Sequence, residues 1–309
     1  MAAHRQINSH LGHRTLVLGA SGLLGQVIFD TLKETQETFG TFFSSSNTSH
    51  EKNFYYLDVY DDNSIETLID KIEPTRIVNC IGLTVVEDCE MRPEACWKIN
   101  SDFPFRVSQI SSRRKIRFIH ISTDHYSSNF EVPRSEIDPV KPVNQYGWSK
   151  YQAEKIISSS DKKALILRTN FFGHTSRKSK SILDFAISSI QLGKVIHGFT
   201  DVVFSPVGAH EIGRFLNSDA SESAYGILNF ASEKPISKYD FLVSLARAFD
   251  APKSMVEPTL IRDSDLSTLR PKYMALDPSR LKNEFKYVIP SLDEMVSVEI
   301  AYAKQANSA

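Results

Sequence analysis

The chain has 309 residues, 41% of them hydrophobic and 24% charged, with a formal net charge of -1. That length can bury one large domain or two moderate ones. The near-neutral balance argues against nucleic acid or an anionic membrane as the main partner, since both favour concentrated basic surface, so a small-molecule ligand fits better.

No apolar run approaches the length that spans a bilayer, and the first residues carry His and Arg without the apolar core of a signal peptide, so a cytoplasmic location is expected. Cys80, Cys89 and Cys96 cannot all pair and match no zinc spacing, which leaves them as buried or incidental thiols and the metal count at none.

Residues 1–13 read as a flexible tail. Thr15-Leu16-Val17-Leu18 is then a short apolar run ending in Gly19-Ala20-Ser21-Gly22-Leu23-Leu24-Gly25, and Leu24, Val27, Ile28 and Leu32 follow at helical spacing. A strand, a glycine turn and a helix in this order open a βαβ unit. Gly19, Ser21, Gly22, Leu23, Leu24 and Gly25 are therefore cofactor-binding candidates, because a tight turn lets backbone amides approach a pyrophosphate.

The alternation continues through strands at Thr38–Phe43, Phe54–Leu57, Arg76–Ile81 and Ile116–Ser122, with helices at Ser64–Ile72 and from Pro93 to about Ser112. It predicts an α/β fold with a doubly wound, Rossmann-like parallel sheet. At the end of the second strand, where an acid would hold a ribose 2′-hydroxyl, stand Ser44 and Ser45 with no acid nearby. This favours NADPH, with NADH the alternative. Asp58 and Val59, after the next strand, are placed to meet the adenine, or Asp58 simply caps a turn.

Tyr146 and Lys150 lie one turn apart if a helix opens after Pro142-Val143-Asn144, but Tyr151 and Lys155 repeat the spacing at once. At about 100° per residue, Tyr151 points roughly 140° away from Tyr146, so only one pair can face a cofactor. A strand at Ala164–Leu167 extends the alternation. Beyond about Asn170 the pattern loosens, with helices at Ile182–Leu192 and Ser237–Phe249 and short strands near Val195 and at Gly226–Phe230. The expected division is a cofactor-binding domain over residues 14–170, to which later segments return, and a smaller C-terminal substrate-binding lobe over 171–309.

Gly19 to Gly25, Asn79-Cys80-Ile81-Gly82, Ile121-Ser122-Thr123-Asp124 and Tyr146 to Lys150 together resemble the extended short-chain dehydrogenase/reductase family. Within it the chain is similar to the dTDP-4-dehydrorhamnose reductases, through Thr84 to Glu90, Pro142-x-Asn144-x-Tyr146-Gly147, Leu167-Arg168-Thr169-Asn170 and Arg270-Pro271-Lys272-Tyr273. The resemblance implies Thr123, Tyr146 and Lys150 as catalytic residues, and adds Cys80, Ile81, Gly82 and Asn100 to the cofactor site. It places Thr84, Glu87, Thr123, Asp124, His125, Asn170 and Arg270 around a nucleotide-sugar substrate. Relatives of this kind often pair through helices, so a homodimer is among the expectations.

The implied reaction is NADPH-dependent reduction of a nucleotide-activated 4-keto-6-deoxy sugar, with Tyr146 donating the proton. An NAD-retaining epimerase or dehydratase, and a non-catalytic cofactor-binding regulatory subunit, are the alternatives. The chain leaves the family pattern at Leu83, at Glu87, at His125-Tyr126-Ser127 and in the segment from Thr200 to Val207, all near the expected substrate.

Overall fold

The first apolar run forms strand β1 (Arg14–Leu18), and the helical spacing after the glycines forms α1 (Leu23–Lys33), in a computed structural model that describes residues 12–43, 52–126, 131–175 and 181–306. Next come β2 (Glu37–Phe42), β3 (Phe54–Tyr56), α2 (Ser64–Ile72) and β4 (Arg76–Asn79), as the alternation predicts. A short helix α3 (Val86–Met91), which the periodicity did not reveal, precedes α4 (Pro93–Trp97).

The helix expected from Pro93 to Ser112 is interrupted. A π turn at Lys98–Asp102 separates α4 from α5 (Phe103–Arg114). Its local cause is Pro104, which has no N–H for the carbonyl four residues back, while the Phe103 N–H reaches Lys98 O.

The chain continues through β5 (Arg117–Ile121), α6 (Gln145–Ser160), β6 (Leu165–Arg168), β7 (Phe171–Phe172), α7 (Ile182–Gln191), β8 (Ile196–Phe199), β9 (Val203–Phe204) and β10 (Val207–Gly208). It closes with α8 (Ala209–Leu216), α9 (Asp219–Ser223), β11 (Gly226–Asn229), β12 (Ile236–Ser237), α10 (Lys238–Ala248), β13 (Val256–Thr259), α11 (Ser279–Glu284) and α12 (Leu292–Ala306). Ser237 caps α10 as its spacing to Asp240 predicts, accepting the Asp240 N–H at 3.0 Å.

The central sheet has seven strands in the order β11-β6-β5-β4-β1-β2-β3, and each neighbouring pair is parallel. Alternate side chains enter opposite layers: Leu16, Leu18, Ile77 and Phe118 pack with α2 and α5, whereas Val17, Val78 and Ile119 pack with α1 and α8. Strand β11 comes from beyond residue 170 and pairs with β6, so the second half of the chain completes the first half's sheet. Three two-stranded pairs, β7 with β10, β8 with β13 and β9 with β12, frame the region around α7 and α10. Helix α12 packs against α8, α10 and β10, tying that region to the sheet. Among the described residues, no helix is long and apolar enough to cross a membrane.

The glycine turn is held at van der Waals limits. A Cβ on Gly25 would lie 2.2 Å from Gly19 O and 2.7 Å from Gly19 C, both backbone atoms that cannot turn aside. Gly25→Ala should therefore lower unfolding free energy by about 1–3 kcal/mol through forced separation of α1 from the turn. Denaturant unfolding checks it, and an unchanged midpoint would show that the contact relaxes freely.

Candidate active site

The strand order reverses between β1 and β4, which opens a crevice at the carboxyl ends of these strands. Gly19 borders it with φ +79°, and its N–H donates to Thr41 Oγ1 at 2.9 Å. Helix α1 starts behind Gly22, with no acid in its first turn, so its leading amides face the crevice without a competing carboxylate. A dinucleotide fits these residues, and a side chain at Gly25 would close the turn that receives it.

Other cofactor candidates have mixed placements. Cys80, Ile81 and Gly82 follow β4 at the crevice edge, and burial pushes the Cys80 thiol up to about 12 against the opposing charge of Lys150. Asp58 caps a turn, accepting the Tyr60 N–H at 2.8 Å, and Val59 is buried in the core beside Leu57 and Ile65. Asn100, on the π turn, clamps a loop: it accepts the Leu83 N–H at 2.8 Å and donates to Leu83 O at 3.0 Å and Ser149 Oγ at 3.1 Å. Ser44 and Ser45 lie outside the described residues.

Tyr146 and Lys150, the pair expected from the sequence to serve proton transfer, stand on α6. Asn144 caps this helix by accepting the Gly147 N–H at 2.9 Å, and its amide nitrogen donates to Leu269 O at 2.9 Å. Tyr146, in the first turn, is hydrogen-bonded to Thr123; burial raises its phenol above the ordinary range, and that bond works against the rise. Lys150 is buried one turn on and donates to Ile121 O at 2.6 Å. Burial brings its ammonium down to about 8, against the favourable charge of Glu154. By contrast Lys155 is exposed over the ring of Tyr151, which packs edge-on against Tyr126.

Below this pair lies a buried charge network that no sequence pattern announced. Glu154 accepts from Ser122 Oγ at 2.5 Å, Tyr126 Oη at 3.0 Å and Arg168 Nη2 at 2.7 Å. Arg168 is thus an ion-pair partner inside the fold.

The cleft above has a volume of about 480 Å³ and brings together Thr84, Thr123, Asp124, His125, Tyr146, Asn170 and Arg270. Asp124 receives the Asn170 amide at 2.9 and 3.1 Å, and burial raises its carboxyl to about 6, opposed by Lys238 and Asn170. His125 meets Tyr146 edge-on at 5.3 Å between ring centres; burial, then Arg270, lowers it to about 4. Arg270 donates to Glu87 at 2.5 Å across the rim, and its Nε is buried with no hydrogen-bond partner among the described residues. Lys238 and the apolar wall of Phe171, Phe199, Leu242 and Met274 were missed in the sequence. The capping pair Ser237 and Asp240 does place Lys238 at a helix start, but nothing local says that it faces a cleft.

Fold and site define an extended short-chain dehydrogenase/reductase, a class of NAD(P)-dependent oxidoreductases. The chain belongs to the family described as the RmlD substrate binding domain, whose model matches residues 13–304. It is 26% identical to the probable low-salt glycan biosynthesis reductase Agl14 of Haloferax volcanii, over 93% of this chain and 97% of that one. It is 24% identical to methionine adenosyltransferase 2 subunit beta of Bos taurus, over 87% of this chain and 81% of the relative. Among solved structures, dTDP-4-dehydrorhamnose reductase from Bacillus anthracis in complex with NADP superposes with a TM-score of 0.83 at 21% identity, covering 94% and 99% of the two chains.

The raised Asp124 carboxyl makes a pH prediction. A carboxyl whose folded pKa is raised contributes stability that is complete below its unfolded value near 4 and is lost as pH rises through about 6. Asp124→Asn removes the titration, so the variant should gain on the native protein by about 2–3 kcal/mol between pH 4 and 7 and then level off. Unfolding free energies across that range test it; a constant difference would contradict the raised carboxyl.

Proposed function

We propose that the protein reduces the ketone of a nucleotide-activated 4-keto-6-deoxy sugar in the cytoplasm, using NADPH. The observation that carries this is Tyr146: a half-buried phenol, bonded to Thr123, lines the cleft where the sheet's carboxyl edge adjoins the crevice. When bound, the nicotinamide supplies the hydride that adds to the carbonyl carbon.

The chain's own groups handle the oxygen. Thr123 donates a hydrogen bond to the carbonyl oxygen and helps hold it in place. Tyr146 then gives that oxygen its proton. Burial keeps the phenol protonated until transfer, so the donor is in its active state at neutral pH. Lys150, charged below about pH 8, favours the phenolate left behind. Arg270, whose planar fork suits phosphate, reaches the nucleotide diphosphate once the substrate draws it from Glu87.

A second reading, a cofactor-binding regulatory subunit without turnover, is supported by the similarity to methionine adenosyltransferase 2 subunit beta. Retention of Tyr146 and Lys150 is compatible with it, since both can serve nucleotide binding alone. NADPH oxidation with dTDP-, UDP- and GDP-linked 4-keto sugars separates the readings. The reductase should turn over at least one of them, and Tyr146→Phe should cut that rate at least about 100-fold with NADPH affinity unchanged. No turnover with the panel, together with stoichiometric binding to a partner enzyme, would favour the second reading. Full activity in Tyr146→Phe would remove the phenol from its role.

A further inference from the structure

Behind Lys150 lie two buried side chains that the reaction itself does not use. Asn79 ends β4, and His120 stands opposite it in the register of β5. Asn79 Oδ1 accepts the Ile81 backbone N–H at 3.1 Å. A backbone amide can only donate, so the Asn79 side-chain nitrogen must be the atom that faces His120 Nδ1, also at 3.1 Å.

That nitrogen donates, so Nδ1 accepts, and the proton of the neutral ring sits on Nε2. His120 Nε2 is 3.3 Å from Lys150 Nζ. A charged ring would have a donor against each nitrogen, and burial followed by the Lys150 charge holds His120 well below its ordinary value. The neutral ring with Nε2–H is what remains.

We propose that His120 is a positioning residue for Lys150: Asn79 fixes the imidazole proton on Nε2, and that N–H meets the lysine nitrogen from behind, aiming its own protons elsewhere and opposing its extra one. An ammonium finds a donor on that side, whereas a neutral amine finds a partner for its lone pair. One of the amine's own protons goes to Ile121 O.

Other groups act on the same nitrogen. Glu154, one turn along α6, favours the charged form, as do Cys80 after β4 and Cys96 on α4, while burial opposes it. Asn79 and His120 add a contact that can be altered without touching the donor face of Tyr146. The functional consequence rests on the reading of Lys150 as the partner of Tyr146, but the proton placement does not.

The test uses the full-length protein without cofactor, with nitrogen-15 histidine and carbon-13 lysine labels read by NMR. His120 should show a bare Nδ1 and a protonated Nε2 from pH 6 to 9; protonated Nδ1, or a charged ring in that range, would overturn the proposal. Lys150, assigned through Lys150→Met, should titrate at least about half a pH unit higher in two variants. In His120→Gln the new amide can turn its oxygen to the amine. In Asn79→Leu the freed ring can move its proton to Nδ1 and accept at Nε2. Unshifted titration in both folded variants would overturn the proposal, and if neither folds the native histidine spectrum alone decides. Because neither readout needs substrate, absence of ketone reduction would sink the proposed function and leave this result standing.

Discussion

The Glu154 carboxylate is shut off from water, and the geometry of the site depends on how its charge is satisfied. A buried carboxylate is costly unless paired and hydrogen-bonded, and removing one partner from such a pair costs roughly 3–5 kcal/mol. Here Arg168 from β6, Ser122 after β5 and Tyr126 all converge on it. The network bolts α6 to the carboxyl edge of the sheet. Lys150, one turn before Glu154, and Tyr146, two turns before it, are thereby held over Ile121 and Thr123.

Above this frame the cleft mixes an apolar wall with a few charged groups that are held by each other. Arg270 and Glu87 join the C-terminal loop to α3 across the rim. Their half-open setting makes the pair worth little as stability, and it leaves the guanidinium available to an anionic ligand. Of the departures from the family pattern, His125 and Val202 line this cleft. His125 turns its ring edge to Tyr146, while Tyr126 is taken inward by Glu154. The cleft wall thus leaves the family pattern at His125, whereas Tyr146 and Lys150 on α6 keep to it.

The sheet was legible because short apolar strands, a glycine turn and helical spacing all point to one alternation, and Lys150 was legible because a family resemblance chose between two equivalent Tyr–Lys pairs. Helix α3 was hidden by its six-residue length. The π turn was hidden because it depends on where Pro104 falls within an otherwise continuous helix. Glu154 on a helix with Lys155 beside it reads as a solvated face, and only the tertiary approach of Arg168 makes it buried. Lys238 is the same case: its helix start is written in Ser237 and Asp240, but its direction is set by the packing of α10. The serines read as choosing NADPH lie outside the described residues, so that choice rests on the sequence and on the similarity to a structure solved with NADP.

The central claim is that the site delivers a hydride to a sugar ketone while Tyr146 supplies the proton, with the cofactor consumed on each turnover. It is tested most directly by incubating the protein with NADPH deuterated at the transferred position and a nucleotide-linked 4-keto-6-deoxy sugar. One deuterium bonded to C4 of the product for each NADPH oxidised is the expected result. A sugar altered without net NADPH consumption, or NADPH bound and left unoxidised with the whole panel, would contradict the account.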